Sequence, residues 1–113
     1  MTSAKDILDI KTTEQIIPKV ILPEDILQKV APHFSVFVAD IKSESRKEET
    51  VLARQITAYF FKRQLSLTLN DIGEILGNRN HTTILHSLEK ITKELKRDAE
   101  LRQVIEVLGC NFN

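Results

Sequence analysis

The sequence predicts an all-α fold, a bundle of five to six helices in one domain. Glycine and proline are scarce, with 3 of each among 113 residues, so few positions interrupt a helix. Charged residues are frequent and aromatic residues are sparse, at 28% and 5% of the chain. Apolar residues recur in several windows at the spacing of a helix face. Together these observations favour helices over strands, and the length suits a single domain.

The chain divides into a predicted tail at residues 1–22, a packed domain at residues 23–109 and a short carboxy-terminal tail at residues 110–113. Proline interrupts the apolar pattern of the first tail, which otherwise suits a short helix at residues 4–10. A tail in this place also suits the end of a preceding region of a longer protein.

The first helix is predicted to begin at Pro23, because proline suits the first helical position and the acids that follow it suit the helix dipole. Pro32 limits its far end. Residues 34–41 predict a packed connection or a short helical turn, with Asp40 as its cap. Residues 43–50 predict a polar loop.

The longest and most apolar helix is predicted at residues 48–64, and we interpret it as the centre of the core. Lys62 and Arg63 near its end suit the carboxy-terminal dipole. A last amphipathic helix at residues 98–108 closes the bundle. The predicted buried positions of the long helix are Val51, Leu52, Ile56, Tyr59, Phe60 and Leu65.

A helix-turn-helix is predicted between these two helices. Thr68 and Asp71 approximate a capping box at the start of a short helix. Gly77 and Asn78 follow it, and both tolerate positive φ. Asn80 then suits the N-cap of a longer helix. The predicted buried stripe of that helix is Ile84, Leu85, Leu88, Ile91 and Leu95.

The charge is neutral overall but unevenly distributed. Sixteen Lys and Arg balance sixteen Asp and Glu. Between Arg46 and Arg97, however, ten basic residues face six acidic ones, a local excess of +4. A locally basic surface is compatible with nucleic acid. The single cysteine, Cys110, excludes a disulfide framework and favours a reducing cytoplasm. No run approaches the ~20 apolar residues that span a bilayer, so no membrane partner is expected.

Three blocks of sequence carry a resemblance to a known family. Residues 79–86 read Arg-Asn-His-Thr-Thr-Ile-Leu-His, residues 53–59 read Ala-Arg-Gln-Ile-Thr-Ala-Tyr, and residues 69–73 read Leu-Asn-Asp-Ile-Gly. They resemble motifs of the carboxy-terminal DNA-binding domain of DnaA, the bacterial chromosomal replication initiator. The family motifs usually read Arg-Asp-His-Thr-Thr-Val-Leu-His, Pro-Arg-Gln-Ile-Ala-Met-Tyr and Leu-Pro-Glu-Ile-Gly. The resemblance covers about residues 23–108.

The resemblance implies a Trp-repressor-like helix-turn-helix fold that binds double-stranded DNA at short A·T-rich boxes of a replication origin. Residues 80–83 would enter the major groove, and Arg46 would enter the minor groove. Arg54, Lys62 and Arg79 would contact phosphates. The full set of DNA-binding residues carried over from the family is Arg46, Arg54, Lys62, Leu69, Asn70, Arg79, Asn80, His81, Thr82 and Thr83.

Two departures from the family pattern bear on DNA binding. Asn80 replaces the usual aspartate, which suits the amino group of cytosine, whereas asparagine suits adenine. We therefore expect altered readout at one base pair. The loop around Arg46 is densely basic in the family, but here Glu44, Glu48 and Glu49 lie beside it. Weaker and more salt-sensitive binding is expected.

Plainer interpretations of the same residues stay open. Residues 80–83 also suit a simple helix cap, and Arg54 and Lys62 also suit a solvated helix face. The whole chain also suits a stand-alone DnaA-like regulator that competes for boxes, or a protein-interaction module that no longer binds DNA.

An enzyme is not favoured. No glycine-rich phosphate-binding loop is present, so ATP is expected only in a full-length initiator and no cofactor is expected here. His81 and His86 lack the partner ligands of a zinc site. A monomeric binding domain in the cytoplasm, associated with the nucleoid, is expected.

Overall fold

The computed structural model describes residues 20–110 and 112, and in this part of the chain the regular structure is six helices without a strand. The prediction of an all-α fold is therefore confirmed. The predicted short helix at residues 4–10, and all of the first tail before residue 20, lie outside the described residues. The helices are α1 (Pro23–His33), α2 (Val38–Ile41), α3 (Glu48–Leu65), α4 (Leu69–Ile75), α5 (His81–Arg97) and α6 (Ala99–Cys110).

Helix α3 lies at the centre of the bundle, as predicted, because α1, α2, α4 and α5 all pack against it. The residues of α3 that are buried cover more of its circumference than the predicted face. Val51 and Leu52 are only half-buried, whereas Phe61 and Thr57 are completely buried. Neighbours on several sides leave α3 without one apolar stripe. The buried hydroxyl of Thr57 donates to the carbonyl oxygen of Ala53 at 2.7 Å, which satisfies the polar group.

The connection from α3 to α4 follows local capping rules. Ser66 ends α3 in the left-handed conformation, at φ 53°. The backbone N–H of Asp71 donates to the Thr68 hydroxyl at 3.1 Å, and the Thr68 N–H donates to the Asp71 carboxylate at 3.4 Å. The predicted capping box is therefore confirmed, and it fixes where α4 begins.

The prediction that Asp40 caps α2 is wrong. The N-cap is Phe37, and Asp40 lies three residues later, inside the first turn. Its carboxylate accepts from the N–H of Phe37 at 3.0 Å. Asp40 thus stabilises the start of α2 from within the helix, where an acid also suits the dipole.

Helix α6 and Phe112, near the carboxy terminus, pack on the rest of the bundle. Helix α6 contacts α5. Phe112 is buried, with its ring centroid 5.1 Å from that of Phe60 on α3. The packed part of the chain therefore extends beyond residue 109, where the sequence places the start of a tail.

Candidate nucleic-acid interface

Helices α4 and α5 form the helix-turn-helix. Between them Gly77 and Asn78 have φ of 93° and 57°, the left-handed conformation that the sequence predicts. Asn80 is the N-cap of α5, and its Oδ1 accepts from the N–H of Thr82 at 2.8 Å. His81 and Thr82 are exposed. The first turn of α5 therefore presents its polar side chains to solvent.

The turn is packed backbone against backbone. The N–H of Arg79 donates to the carbonyl oxygen of Gly73 at 2.8 Å. A Cβ atom on Gly73 would overlap the carbonyl oxygen of Arg79, and one on Gly77 would overlap that of Lys42. Because glycine alone permits both approaches, the turn lies directly on α4 and on the segment that follows α2.

The buried face of α5 is narrower than the predicted stripe, since Leu88 and Leu95 are half-buried and one residue is exposed. Ile84 and Ile91 are buried, but Leu85 is 42% exposed. Adjacent helical residues are about 100° apart, so Leu85 points away from the line that joins Ile84 and Ile91. It lies instead one turn beyond Thr82, beside the polar side chains of the first turn. The prediction that Leu85 is buried is wrong, and an apolar side chain joins the exposed face.

Arg54 does not lie on a solvated helix face. Only 8% of the residue is exposed. Its Nε donates to the carbonyl oxygen of Ile41 at 2.8 Å, and its Nη2 lies 2.9, 3.1 and 3.3 Å from those of Ser43, Ser45 and Asp40. The guanidinium therefore holds the chain between α2 and α3.

Arg79 reaches the same segment from the other side. Its Nη2 donates to the carbonyl oxygen of Ser43, and its Nη1 donates to that of Leu76 in the turn. Burial lowers the pKa of Arg54 below its ordinary value, and the charge of Arg79 lowers that pKa further. Burial also lowers the pKa of Arg79, against the influence of Glu44. Both guanidinium groups stay charged at neutral pH, since arginine ordinarily titrates far above it.

A cleft of about 590 Å³ opens between this segment and the first turn of α5. It brings together half of the residues that the resemblance implicates. A carboxylate, that of Glu44, lines the same cleft. The cleft is thus rich in cations but not uniformly basic. The implicated residues that line it are Arg46, Arg54, Arg79, Asn80 and Thr83.

A second group of implicated residues lies around the start of α4. Lys62 is exposed near the end of α3, and its Nζ lies 3.5 Å from the carbonyl oxygen of Leu67. Leu69 is half-buried and Asn70 is exposed at the first positions of α4. Because α4 packs against α5, Leu69 and Asn70 belong to the same helix-turn-helix as Asn80 and Thr83.

The segment after α2 is more ordered than a polar loop, a feature that sequence reasoning missed. The Ser43 hydroxyl donates to the carbonyl oxygen of Asp40 at 2.6 Å and accepts from the N–H of Ser45 at 3.1 Å. The Ser45 hydroxyl accepts from the N–H of Lys47 at 3.3 Å. Serines two residues apart are a signal for such local turns.

Two other kinds of feature are absent from the described residues, a metal-binding cluster and a membrane-spanning helix. Between residues 20 and 110, no three His, Cys, Asp or Glu side chains are grouped so that they could hold a metal ion. In the same part of the chain, no helix has the length and hydropathy of a membrane span.

Comparison with known proteins agrees with this geometry. Residues 23–91 match the family model described as bacterial DnaA protein helix-turn-helix. The chain is 44% identical to the chromosomal replication initiator protein DnaA of Crocosphaera subtropica over 91 residues, which are 80% of this chain and 20% of that protein.

Other initiators show a similar coverage. The identity is 42% over 80 residues with DnaA of Thermomicrobium roseum, which covers 71% of this chain and 17% of that protein. With DnaA of Geobacter metallireducens the identity is 39% over 104 residues, which are 92% of this chain and 22% of that protein. The chain thus spans about a fifth of the length of the curated relatives it matches.

Proposed function

The chain belongs to the family of bacterial DnaA helix-turn-helix domains, and from this membership we propose that it binds double-stranded DNA sequence-specifically, at short A·T-rich boxes of a replication origin. One observation carries the proposal. The exposed first turn of α5 lies directly beside a cleft lined by Arg46, Arg54 and Arg79. This arrangement offers base-reading groups and cations on one face.

In the proposed complex the first turn of α5 enters the major groove. Asn80, His81 and Thr82 offer donors and acceptors at the end of the helix that helix-turn-helix proteins direct at base edges. A threonine methyl group also packs on the methyl group of thymine. The cap bond of Asn80 holds this turn in a helical conformation before DNA arrives.

Arg46 is proposed to enter the adjacent minor groove. It is exposed at the cleft, and narrow A·T-rich minor grooves attract arginine. Lys62 is proposed as a phosphate contact, and so is Arg79, through the guanidinium N–H groups that its bonds to Ser43 and Leu76 leave over. Glu44 lines the same cleft and opposes this attraction, which supports the weaker binding expected from the sequence.

Specific binding is tested with a fluorescent duplex that carries the initiator box and a scrambled duplex of equal length. Fluorescence anisotropy at about physiological salt should give a ratio of dissociation constants of roughly 10³ or more. Thr82→Ala should lower this ratio about tenfold, because a base contact contributes about 1–3 kcal/mol.

The matched control is Thr92→Ala on the same helix. The Thr92 hydroxyl donates to the carbonyl oxygen of Leu88 at 2.7 Å, two to three turns away from the first turn. This variant should keep the wild-type ratio. Equal, weak binding of the wild type to both duplexes would overturn the proposal and favour a protein-interaction module.

The exposed Leu85 gives a second test of the same face. We expect Leu85→Ala to weaken binding to the box about fourfold, because roughly one methylene of apolar contact with a thymine methyl group is lost. Replacing the box thymines one at a time by deoxyuridine removes that methyl group. At the contacted position the two losses should not add. Val20→Ala, at an exposed apolar residue outside the helices, should have no effect. If the losses of affinity from Leu85→Ala and from deoxyuridine add at every thymine, Leu85 does not contact a thymine methyl group.

A further inference from the structure

We propose that Arg54 is a positioning residue: it fixes the loop of Arg46 against the helix-turn-helix, so that minor-groove and major-groove contacts are held in one register. This role rests on the proposed DNA binding. It differs from the phosphate contact that the family resemblance implies for Arg54, because it acts through Arg46 and not through DNA directly.

The first argument is the use of the guanidinium donors. Nε is engaged by the carbonyl oxygen of Ile41 and Nη2 by those of Ser43 and Ser45, all within 3.1 Å. Only Nη1 remains, on a residue that is 8% exposed. A guanidinium binds phosphate best with two parallel N–H groups. Arg54 could present such a pair to a phosphate only if its hydrogen bonds to the loop were broken.

The second argument is the path from Arg54 to the turn. The carbonyl oxygen of Ser43 accepts from both Arg54 and Arg79. Arg79 also donates to the carbonyl oxygen of Leu76, and Gly77 packs on that of Lys42. The loop and the turn are thus joined at adjacent residues, by two arginines of like charge that share one acceptor.

The third argument is the position of Arg46 itself. It directly follows Ser45, whose carbonyl oxygen Arg54 holds and whose hydroxyl accepts from the N–H of Lys47. The backbone on both sides of Arg46 is therefore fixed, while its side chain is exposed. A preformed loop loses less conformational freedom on binding, which raises affinity without a new contact.

The experiment compares Arg54→Lys with the wild type, because lysine keeps the charge but cannot span several carbonyl oxygens. Affinity for the box duplex is measured over a range of salt concentrations. We expect binding to weaken about tenfold while the salt dependence stays at the wild-type slope. The matched control is Arg102→Lys on α6, where Nη1 also donates to a carbonyl oxygen, that of Leu95 at 2.8 Å. It should bind like the wild type.

A double-mutant cycle with Arg46→Ala separates positioning from direct contact. If Arg54 acts through Arg46, Arg54→Lys should weaken binding less than about twofold once Arg46 is alanine. Equal losses in both backgrounds, or wild-type affinity of Arg54→Lys, would overturn the proposal. A role in folding alone would lower the Tm and leave the affinity of the folded protein unchanged.

A measurement on the wild type covers the case in which Arg54→Lys does not fold. The Nε–H resonance of Arg54 should be slowly exchanging in the free protein and unchanged when the box duplex is added. A large shift on binding would show that the guanidinium leaves the loop for DNA, against the proposal. A wild type that does not discriminate the box would instead overturn the proposed function.

Discussion

Gly73→Ala should destabilise the domain by about 3 kcal/mol, because the new Cβ atom overlaps the carbonyl oxygen of Arg79. Helix propensity acts the other way, since alanine is favoured over glycine by up to about 1 kcal/mol inside a helix. The steric effect prevails because the obstacle is backbone, which cannot rotate away. The N–H of Arg79 also donates to Gly73, so relief of the overlap stretches this bond. Thermal unfolding should show a Tm lower by roughly 15 °C.

The matched control for this change is Gly109→Ala, on α6. There the new Cβ atom would lie 3.7 Å from Cε1 of Phe60, an ordinary contact. The Tm should stay the same or rise. If Gly73→Ala also unfolds within a few degrees of the wild type, the close packing of α4 on the turn is incorrect.

Asn80→Asp should change the preferred base pair at the position that residue 80 is proposed to read. In the structure Oδ1 accepts the cap bond from the N–H of Thr82, so in the proposed complex Nδ2 remains as a donor, which N7 of adenine can accept. Aspartate keeps an acceptor for the cap and turns an acceptor outward. The preference should move from adenine towards cytosine, whose amino group is a donor, by up to about 100-fold in relative affinity.

The measurement uses four duplexes that differ only at that base pair, with the wild type and the variant. The added negative charge weakens binding to all four, so the ratios among them carry the result. The Tm should be unchanged or slightly higher, since aspartate caps as well as asparagine and suits the dipole. An identical order of the four duplexes for both proteins would show that residue 80 only caps the helix.

Features set by neighbours along the chain were predictable from the sequence. The capping box at Thr68, the left-handed Gly77 and Asn78 and the cap at Asn80 depend on residues at most three positions apart. The side-chain chemistry of each is specific to that geometry. They place the helix-turn-helix correctly before any tertiary contact is known.

The role of Arg54 was not predictable in the same way. Its partners are carbonyl oxygens between 9 and 14 residues away, and every residue carries a carbonyl oxygen. No residue type therefore marks the contact. The prediction of the buried face of α3 was wrong for a related reason. Phe61 is buried by neighbouring helices, and the sequence of α3 alone does not show how those helices are arranged. The error at Leu85 could have been avoided from helical spacing, since Leu85 is about 100° around the helix from the buried Ile84.

The way the loop after α2 is held has a consequence for how such domains diverge. Arg54 and Arg79 donate hydrogen bonds to main-chain carbonyl oxygens of this loop. Substitutions of the side chains of Glu44 or Lys47 therefore leave these bonds in place. Selection can therefore retune the charge of the loop one side chain at a time while its course is preserved. A protein with this architecture can pass between strong and weak binding through small steps, each of which leaves a folded, working domain.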